Sequence, residues 1–258
     1  MKKQKLYLSN TSIRTFLDCN KKFQYQYIDK INVTKSRTTK HLSFGKSIHA
    51  TLAKFNMLTD TSQRTLDTLH DLLRKNWVRE GYESIDEERE FGIKGLDMLT
   101  NYFNNPLDQG KENLIIEETI YENTPQYILC GKLDKVYVAE DDTVEILDYK
   151  TGNSIQPIDH LQLPIYLILA KSKLGFYPKR ISSYYLAKSK KITQDIDDIL
   201  LTELTTHIYE LCQAISDNKC FEHKYTPYCQ TNCQFYSLCK ILSLRCTDSL
   251  NLKIKSNP

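Results

Sequence analysis

The chain has 258 residues, 40% of them hydrophobic, and a formal net charge of +3. That is enough apolar material for one sizeable core, which excludes a disordered polyelectrolyte, and the balanced charge excludes a globally basic coat protein, so any basic surface has to be local. The longest apolar run, residues 163–170, is far short of the roughly 20 residues a membrane helix needs; no apolar leader follows the basic start, and the expectation is a soluble, cytoplasmic protein without a membrane partner.

Residues 9–31 begin with Ser9, Asn10 and Thr11 as cap candidates and space Ile13, Phe16, Leu17, Phe23 and Tyr27 as helix faces do. Lys21, Lys22, Lys35, Arg37 and Lys40 interleave with Phe23, Tyr25 and Tyr27. That mixture suits phosphate contacts and base stacking, and equally suits a solvated helix face over core aromatics. Residues 43–57 read as a second helix with Ile48, Leu52 and Phe55 on one stripe. Residues 62–104 continue the helical period around an acidic patch, 85–90, read as solvated surface.

The pattern then changes. Residues 113–122, 126–140 and 142–152 are β-rich runs separated by turn residues; 159–175 returns to a helical period, 181–189 reads as a strand and 193–216 as an amphipathic helix. No repeat or Pro/Gly-rich linker divides the chain. The order α, β-β-β, α, β, α predicts a mixed sheet flanked by helices.

Residues 139–143 form a turn signal between two of the strands, which makes them a hairpin. A turn centred on Asp141 sets Asp134 opposite Asp148, and alternation puts both, with Lys150, on one face of the sheet; a centre between Asp141 and Asp142 sends the two aspartates to opposite faces. Carboxylates that close repel unless a cation lies between them, and oxygen ligands of this kind suit Mg²⁺ or Mn²⁺. An isolated Asp-x-Lys is more often a surface ion pair. Glu117 and Glu118 lie on a strand entering the same sheet, where one of them can reach the site as a supporting acid behind the metal ligands; their register is undetermined, and both stay outside the expected catalytic set.

Asp134, thirteen intervening residues and Asp148-Tyr149-Lys150 resemble the core of the PD-(D/E)XK nuclease superfamily; Gly131-Lys132-Leu133-Asp134 and Asp148-Tyr149-Lys150-Thr151-Gly152 resemble its RecB-like branch. His49, a packed or capping side chain if taken alone, resembles that branch's upstream helix histidine. Gln162 and Tyr166, one helical turn apart, resemble its QxxxY motif. The resemblance implies a restriction-endonuclease-like α/β fold, with a mixed central sheet flanked by helices, an N-terminal helical elaboration and a C-terminal cysteine segment. It also implies metal ligation by His49, Asp134, Asp148 and the Tyr149 carbonyl, with Lys150 acting on the attacking water and the scissile phosphate and Gln162 and Tyr166 contacting the nucleic acid.

Cys229, Cys233 and Cys239 fall within eleven residues, a spacing that asks for a metal and a fourth soft ligand. In the RecB-like branch, including CRISPR-associated and AddB-type nucleases, four cysteines hold a 4Fe-4S cluster that staples the chain ends. The resemblance assigns the fourth position to Cys19. Zinc suits four thiolates as well. The first interval is one residue longer than the branch's pattern, so Cys220 or Cys246 can substitute for Cys229; Cys130 and Cys212 read as core residues.

The expected organisation is one domain over 1–258: a helical part (1–105), a nuclease core (106–220) and a cysteine segment (221–246) joined to Cys19. The expected activity is metal-dependent exonucleolytic hydrolysis of single-stranded DNA or DNA ends in repair, recombination or CRISPR adaptation, with any unwinding left to a helicase partner. The competing readings are an inactive DNA-binding or scaffold module of the same fold and a zinc-stabilised interaction protein.

Overall fold

A computed structural model of the chain describes residues 5–33, 38–224 and 226–240. Lys35, Arg37 and Cys246 lie outside the described residues. The chain forms two compact units, one of residues 1–10 and 37–213 and the other of residues 11–36 and 214–258.

Strand β1 (Leu6–Leu8) leads into helix α1 (Asn10–Asp18) and the short α2 (Asn20–Phe23), followed by α3 (Lys40–Asn56), α4 (Leu66–Lys75) and α5 (Ile85–Asn104). Then come β2 (Glu112–Asn123), β3 (Tyr127–Val138), β4 (Val144–Lys150), α6 (Gln162–Leu174), β5 (Arg180–Tyr185), β6 (Lys190–Asp195), α7 (Asp198–Asp217) and α8 (Pro227–Asn232).

In the first unit the strands make one mixed sheet of six strands flanked by helices, as expected. Strand β3 is its axis. One edge pairs antiparallel with β2 along nearly its whole length; the other pairs parallel with β1 at residues 127–129 and antiparallel with β4 from Lys135 onward. Beyond β4, strand β5 runs parallel to it and β6 antiparallel to β5. Helices α3, α4 and α5 bury Ile48, Leu52, Leu73 and Leu99 against Leu147, Tyr149 and Tyr184 of the sheet. Helix α6 is apolar nearly all round, and Leu163 to Ala170 are all buried, as such a helix must be. It approaches β3 closely at Gly131, where a Cβ would stand 2.8 Å from Leu169 Cδ1.

The acidic run 85–90 is largely solvated, as expected, and begins a helix: Ser84 caps α5 by accepting from Glu87 N (3.1 Å), and Asp86, Glu87 and Glu88 fill the first turn, where carboxylates favour the helix dipole. Two expectations need correction. The helix expected over 193–216 is α7 and begins at Asp198, because residues 190–195 form edge strand β6, whose mostly polar, half-exposed side chains give no apolar alternation. The helix expected over 9–31 breaks at Cys19, which is extended (φ −159°, ψ 106°), and ends in a π-helical turn at Gln24–Ile28.

The second unit has its own aromatic core. Phe23 and Phe235 are fully buried, Phe23 packing on Phe16 (5.3 Å between ring centres) and Phe221 (6.4 Å), and Phe235 on Tyr25 (5.4 Å).

Candidate functional site

The β3–β4 hairpin closes through a three-residue loop. Ala139 N donates to Thr143 O (2.9 Å), Asp142 N to Ala139 O (3.0 Å), and Asp142 takes the left-handed conformation (φ 63°) usual at the end of such loops. The ladder runs from Val138↔Val144 to Lys135↔Leu147, the register centred on Asp141, so the next step brings Asp134 across from Asp148. There the strands part. Tyr149 N donates to the Asp134 carboxylate (2.8 Å), and on that edge of β3, among the described residues, 130–134 lie open between β1 and β4.

Into this opening the neighbouring elements send side chains. His49 on α3 sets Nδ1 3.1 Å from Asp134 Oδ1. Lys150 Nζ stands 2.5 Å from Asp148 Oδ2 and donates to Gln162 Oε1 (3.2 Å). Gln162 Nε2 donates to Asp148 Oδ1 (3.2 Å) and to Tyr166 OH (2.5 Å), and Tyr166 OH reaches Asp148 Oδ1 at 3.5 Å. The first turn of α6 thus holds both the acid and the lysine. Tyr149 points its ring to the opposite face, edge-on to His49 at 6.2 Å, with its hydroxyl on Asp108.

Both aspartates are buried, Asp134 8% and Asp148 7% exposed. Burial first, and then the Asp134 charge, push the Asp148 carboxyl up, against Lys150 and His49, which pull it down. Burial alone would lower His49, but Asp134, Glu117 and Asp148 outweigh it and raise the imidazole to about 8. Burial and the two aspartates likewise raise the Tyr166 hydroxyl. Asp148 Oδ2 is buried without a hydrogen bond of good geometry, although Lys150 is close to it. An imidazole nitrogen and carboxylate oxygens are a donor set that fits a hard divalent cation.

Sequence reasoning left out one member. Glu117 on β2 offers a carboxylate oxygen that lies, with ligand atoms of His49 and Asp134, within a mutual distance of 4.8 Å. The ladder pairs Ile116 with Lys135 and Glu118 with Leu133, which sets Glu117 across from Asp134. Glu117 itself has φ 50°, a left-handed conformation that costs a residue with a Cβ about 1–2 kcal/mol. Glutamate is not a type that signals positive φ, so nothing in the sequence separated it from Glu118, which reaches Lys173 on α6 instead (2.6 Å).

A cavity of about 420 Å³ opens beside Lys150, lined also by Tyr149, Thr151, Gly152, Ser183 and Tyr185. A larger one, about 510 Å³, lies where Asn56, Arg64, Tyr102, Asp108 and Lys135 meet. It contains none of the His49–Asp134–Asp148–Lys150 groups.

In the second unit, Cys19 sits at the break between α1 and α2, and Cys229 and Cys233 at α8; these and Cys239 are free thiols. The Thr226 hydroxyl and N–H donate toward Cys229 Sγ and lower its pKa. Burial, followed by the charges of Cys233 and Cys19, raises Cys239; among the described residues no three of the cysteines bring their sulfurs within 4.8 Å of one another. Cys220 is exposed; Cys212 is buried in the core, as expected, and raised to about 12, whereas Cys130 on β3 is only half-buried and stands outside the core. Of the two readings open for Phe23 and Tyr25, burial decides for core aromatics, at 0% and 6% exposed.

No helix among the described residues is long and apolar enough to cross a membrane. Compared with known proteins, residues 7–240 match the family model of the PD-(D/E)XK nuclease superfamily. No curated protein matches the chain. Among solved structures, a candidate exonuclease from Eubacterium rectale aligns at 9% identity over 88% of this chain and 93% of its own, with a TM-score of 0.47. The protein SSO0001 aligns at 12% identity over 93% and 88% (TM-score 0.35), and VC1899 from Vibrio cholerae at 10% over 82% and 59% (TM-score 0.21).

Proposed function

Because the chain belongs to the PD-(D/E)XK nuclease superfamily, we propose that it is a divalent-metal-dependent deoxyribonuclease of the RecB-like branch. It degrades single strands or duplex ends as an exonuclease in repair, recombination or CRISPR adaptation, with any unwinding supplied by a partner helicase. The observation that most supports this is the meeting of four groups from three elements: His49 on Asp134 at 3.1 Å and Lys150 on Asp148 at 2.5 Å, with Asp134 bonded to the backbone beside Asp148.

In this reading His49, Asp134, Asp148 and the Tyr149 carbonyl hold the cation. When bound, Mg²⁺ or Mn²⁺ supplies Lewis-acid chemistry, acidifying water and polarising a phosphoryl oxygen. Lys150 is one-third exposed, so its ammonium can turn from Asp148 toward a phosphate oxygen or the attacking water. Gln162, bonded to both Asp148 and Lys150, fixes the carboxylate and the ammonium relative to one another, and Tyr166 keeps Gln162 in place. The cavity beside Lys150 gives the DNA backbone room to approach.

Cys19, Cys229, Cys233 and Cys239 hold a 4Fe-4S cluster as a structural clip in the second unit, while the first unit carries the nuclease core. Iron and acid-labile sulfide in anaerobically purified protein support the cluster; zinc in their place replaces it with a zinc clip.

The activity is tested with end-labelled linear, end-blocked and circular DNA in Mn²⁺, Mg²⁺ or chelator. Cation-dependent loss of linear DNA alone is expected, with Asp148→Ala and Lys150→Ala each slowing it on the order of 10²–10³-fold while DNA binding persists. Cleavage of circles would make the enzyme an endonuclease. Equal turnover by either variant would reject the site.

A further inference from the structure

Glu117 and Glu118 are consecutive glutamates in one strand and go to different places. Glu118 lies toward α6 with its side chain 40% exposed on Lys173. Glu117 is 16% exposed and reaches the His49–Asp134 pair. Its positive φ interrupts a ladder that is otherwise paired at Ile116 and Glu118. One of its oxygens is taken by the ammonium of Lys132, a side chain that is half exposed and free to turn outward.

We propose that Glu117 is a further side-chain ligand of the divalent cation, and that Lys132 competes with the cation for its carboxylate. The inference rests on the metal-dependent reading given above and extends it. Bonds of about 2.1 Å to a hard divalent ion let two ligand atoms stand about 4.2 Å apart. Donor atoms already within 4.8 Å of one another need only a small side-chain adjustment to share one ion. Formal charge points the same way. Asp134, Asp148 and Glu117 bring three carboxylates, and one divalent ion with the Lys150 ammonium balances them, which a buried site demands. With only the two aspartates, the same ion and lysine would leave a net positive charge uncompensated. Lys132 is then the surplus cation, and its exposure lets it withdraw into water.

The test measures Mn²⁺ binding directly, by calorimetry and by the EPR signal of free Mn²⁺, on the full chain with folding checked by thermal unfolding. Glu117→Gln is expected to weaken Mn²⁺ by about tenfold or more, since losing even an outer partner of a metal ligand costs about that much. Lys132→Ala is expected to tighten it severalfold, and Glu118→Gln, which removes the same charge on the next residue, to leave it within about twofold. Wild-type affinity in Glu117→Gln beside a loss in Asp134→Asn overturns the role of Glu117 and leaves the metal site standing. Equal weakening by Glu117→Gln and Glu118→Gln overturns it too, since bulk charge would then be the cause. Lys132→Ala, on an exposed side chain, carries the test where Glu117→Gln fails to fold, and unchanged affinity there overturns the competition. Failure of the wild-type protein to bind Mn²⁺ removes the metal-dependent reading itself.

Discussion

Behind the His49–Asp134 and Asp148–Lys150 pairs, Tyr149 is anchored by a buried polar knot. Its hydroxyl sits on Asp108, which also accepts from Tyr102 OH (3.1 Å) and Lys135 Nζ (2.9 Å); Lys135 further donates to Asn56 Oδ1 (3.0 Å) and the Asp108 carbonyl (2.8 Å). Lys135 and Asp108 are 5% and 1% exposed, and burial pulls the Lys135 ammonium down despite its partner. A pair this deep is worth little against a well-packed apolar pair, but orphaning one member is expensive. Asp108→Leu alone should therefore lower unfolding free energy by about 3–5 kcal/mol, read from urea denaturation, whereas Asp108→Leu with Lys135→Met should recover most of the loss. Additive losses would show that the two charges are not coupled. On the other face, Tyr166→Phe removes the hydroxyl that receives Gln162 and touches Asp148. It should slow cleavage about tenfold, near the energy of one such hydrogen bond, without changing the melting temperature by more than a few degrees. The aspartates, the lysine and the histidine were legible because their types and order match a family pattern. Lys135 and Glu117 were not, since a buried lysine in an alternating strand looks like an exposed one and a glutamate gives no warning of a positive φ.

At the level of elements, what the sequence conveyed was apolar periodicity. Strands β3 and β4 and helix α3 carry it, helix α6 is marked instead by its unbroken apolar run, and all four were anticipated within a few residues. Strands β1 and β6 were not: one is three residues long, and the other is a polar edge whose stabilisation comes from backbone pairing with β5. Backbone crowding is equally silent in sequence. Gly110 enters β2 beneath the end of β3, with Lys111 N donating to Val138 O (2.8 Å). A Cβ on it would collide with that same carbonyl oxygen and come within 2.6 Å of the Tyr137 ring. Neither can yield without breaking the β2–β3 ladder. Gly110→Ala should destabilise by about 1–3 kcal/mol as an overpacking change. Gly152→Ala, where nothing lies within 4 Å, should leave thermal stability nearly unchanged. Similar melting curves for the two variants would mean that the loop before β2 relaxes freely.

The chain passes twice into the second unit, which gathers residues 11–36 and 214–258. The four candidate cluster ligands therefore come from both ends of the sequence, and a clip between Cys19 and Cys239 closes a loop of about two hundred residues, the regime in which loop closure removes most entropy from the unfolded ensemble. Among the described residues the core of this unit is small, built on Ile13, Phe23, Tyr25, Ile215 and Phe235, so a bound cluster should supply much of its stability. Cys233→Ala should lose iron and visible absorbance, lower the melting temperature, and speed amide exchange in α1 and α8. Exchange in β3 and β4, and Mn²⁺ affinity at Asp134 and Asp148, should stay near wild type, because those groups are held by the ladder and by α6 rather than by any thiol. Full iron content with an unchanged melt would dismiss the clip. Loss of Mn²⁺ affinity together with the iron would instead mean that the two units fold as one cooperative body, with the cysteines governing the acidic site from a distance.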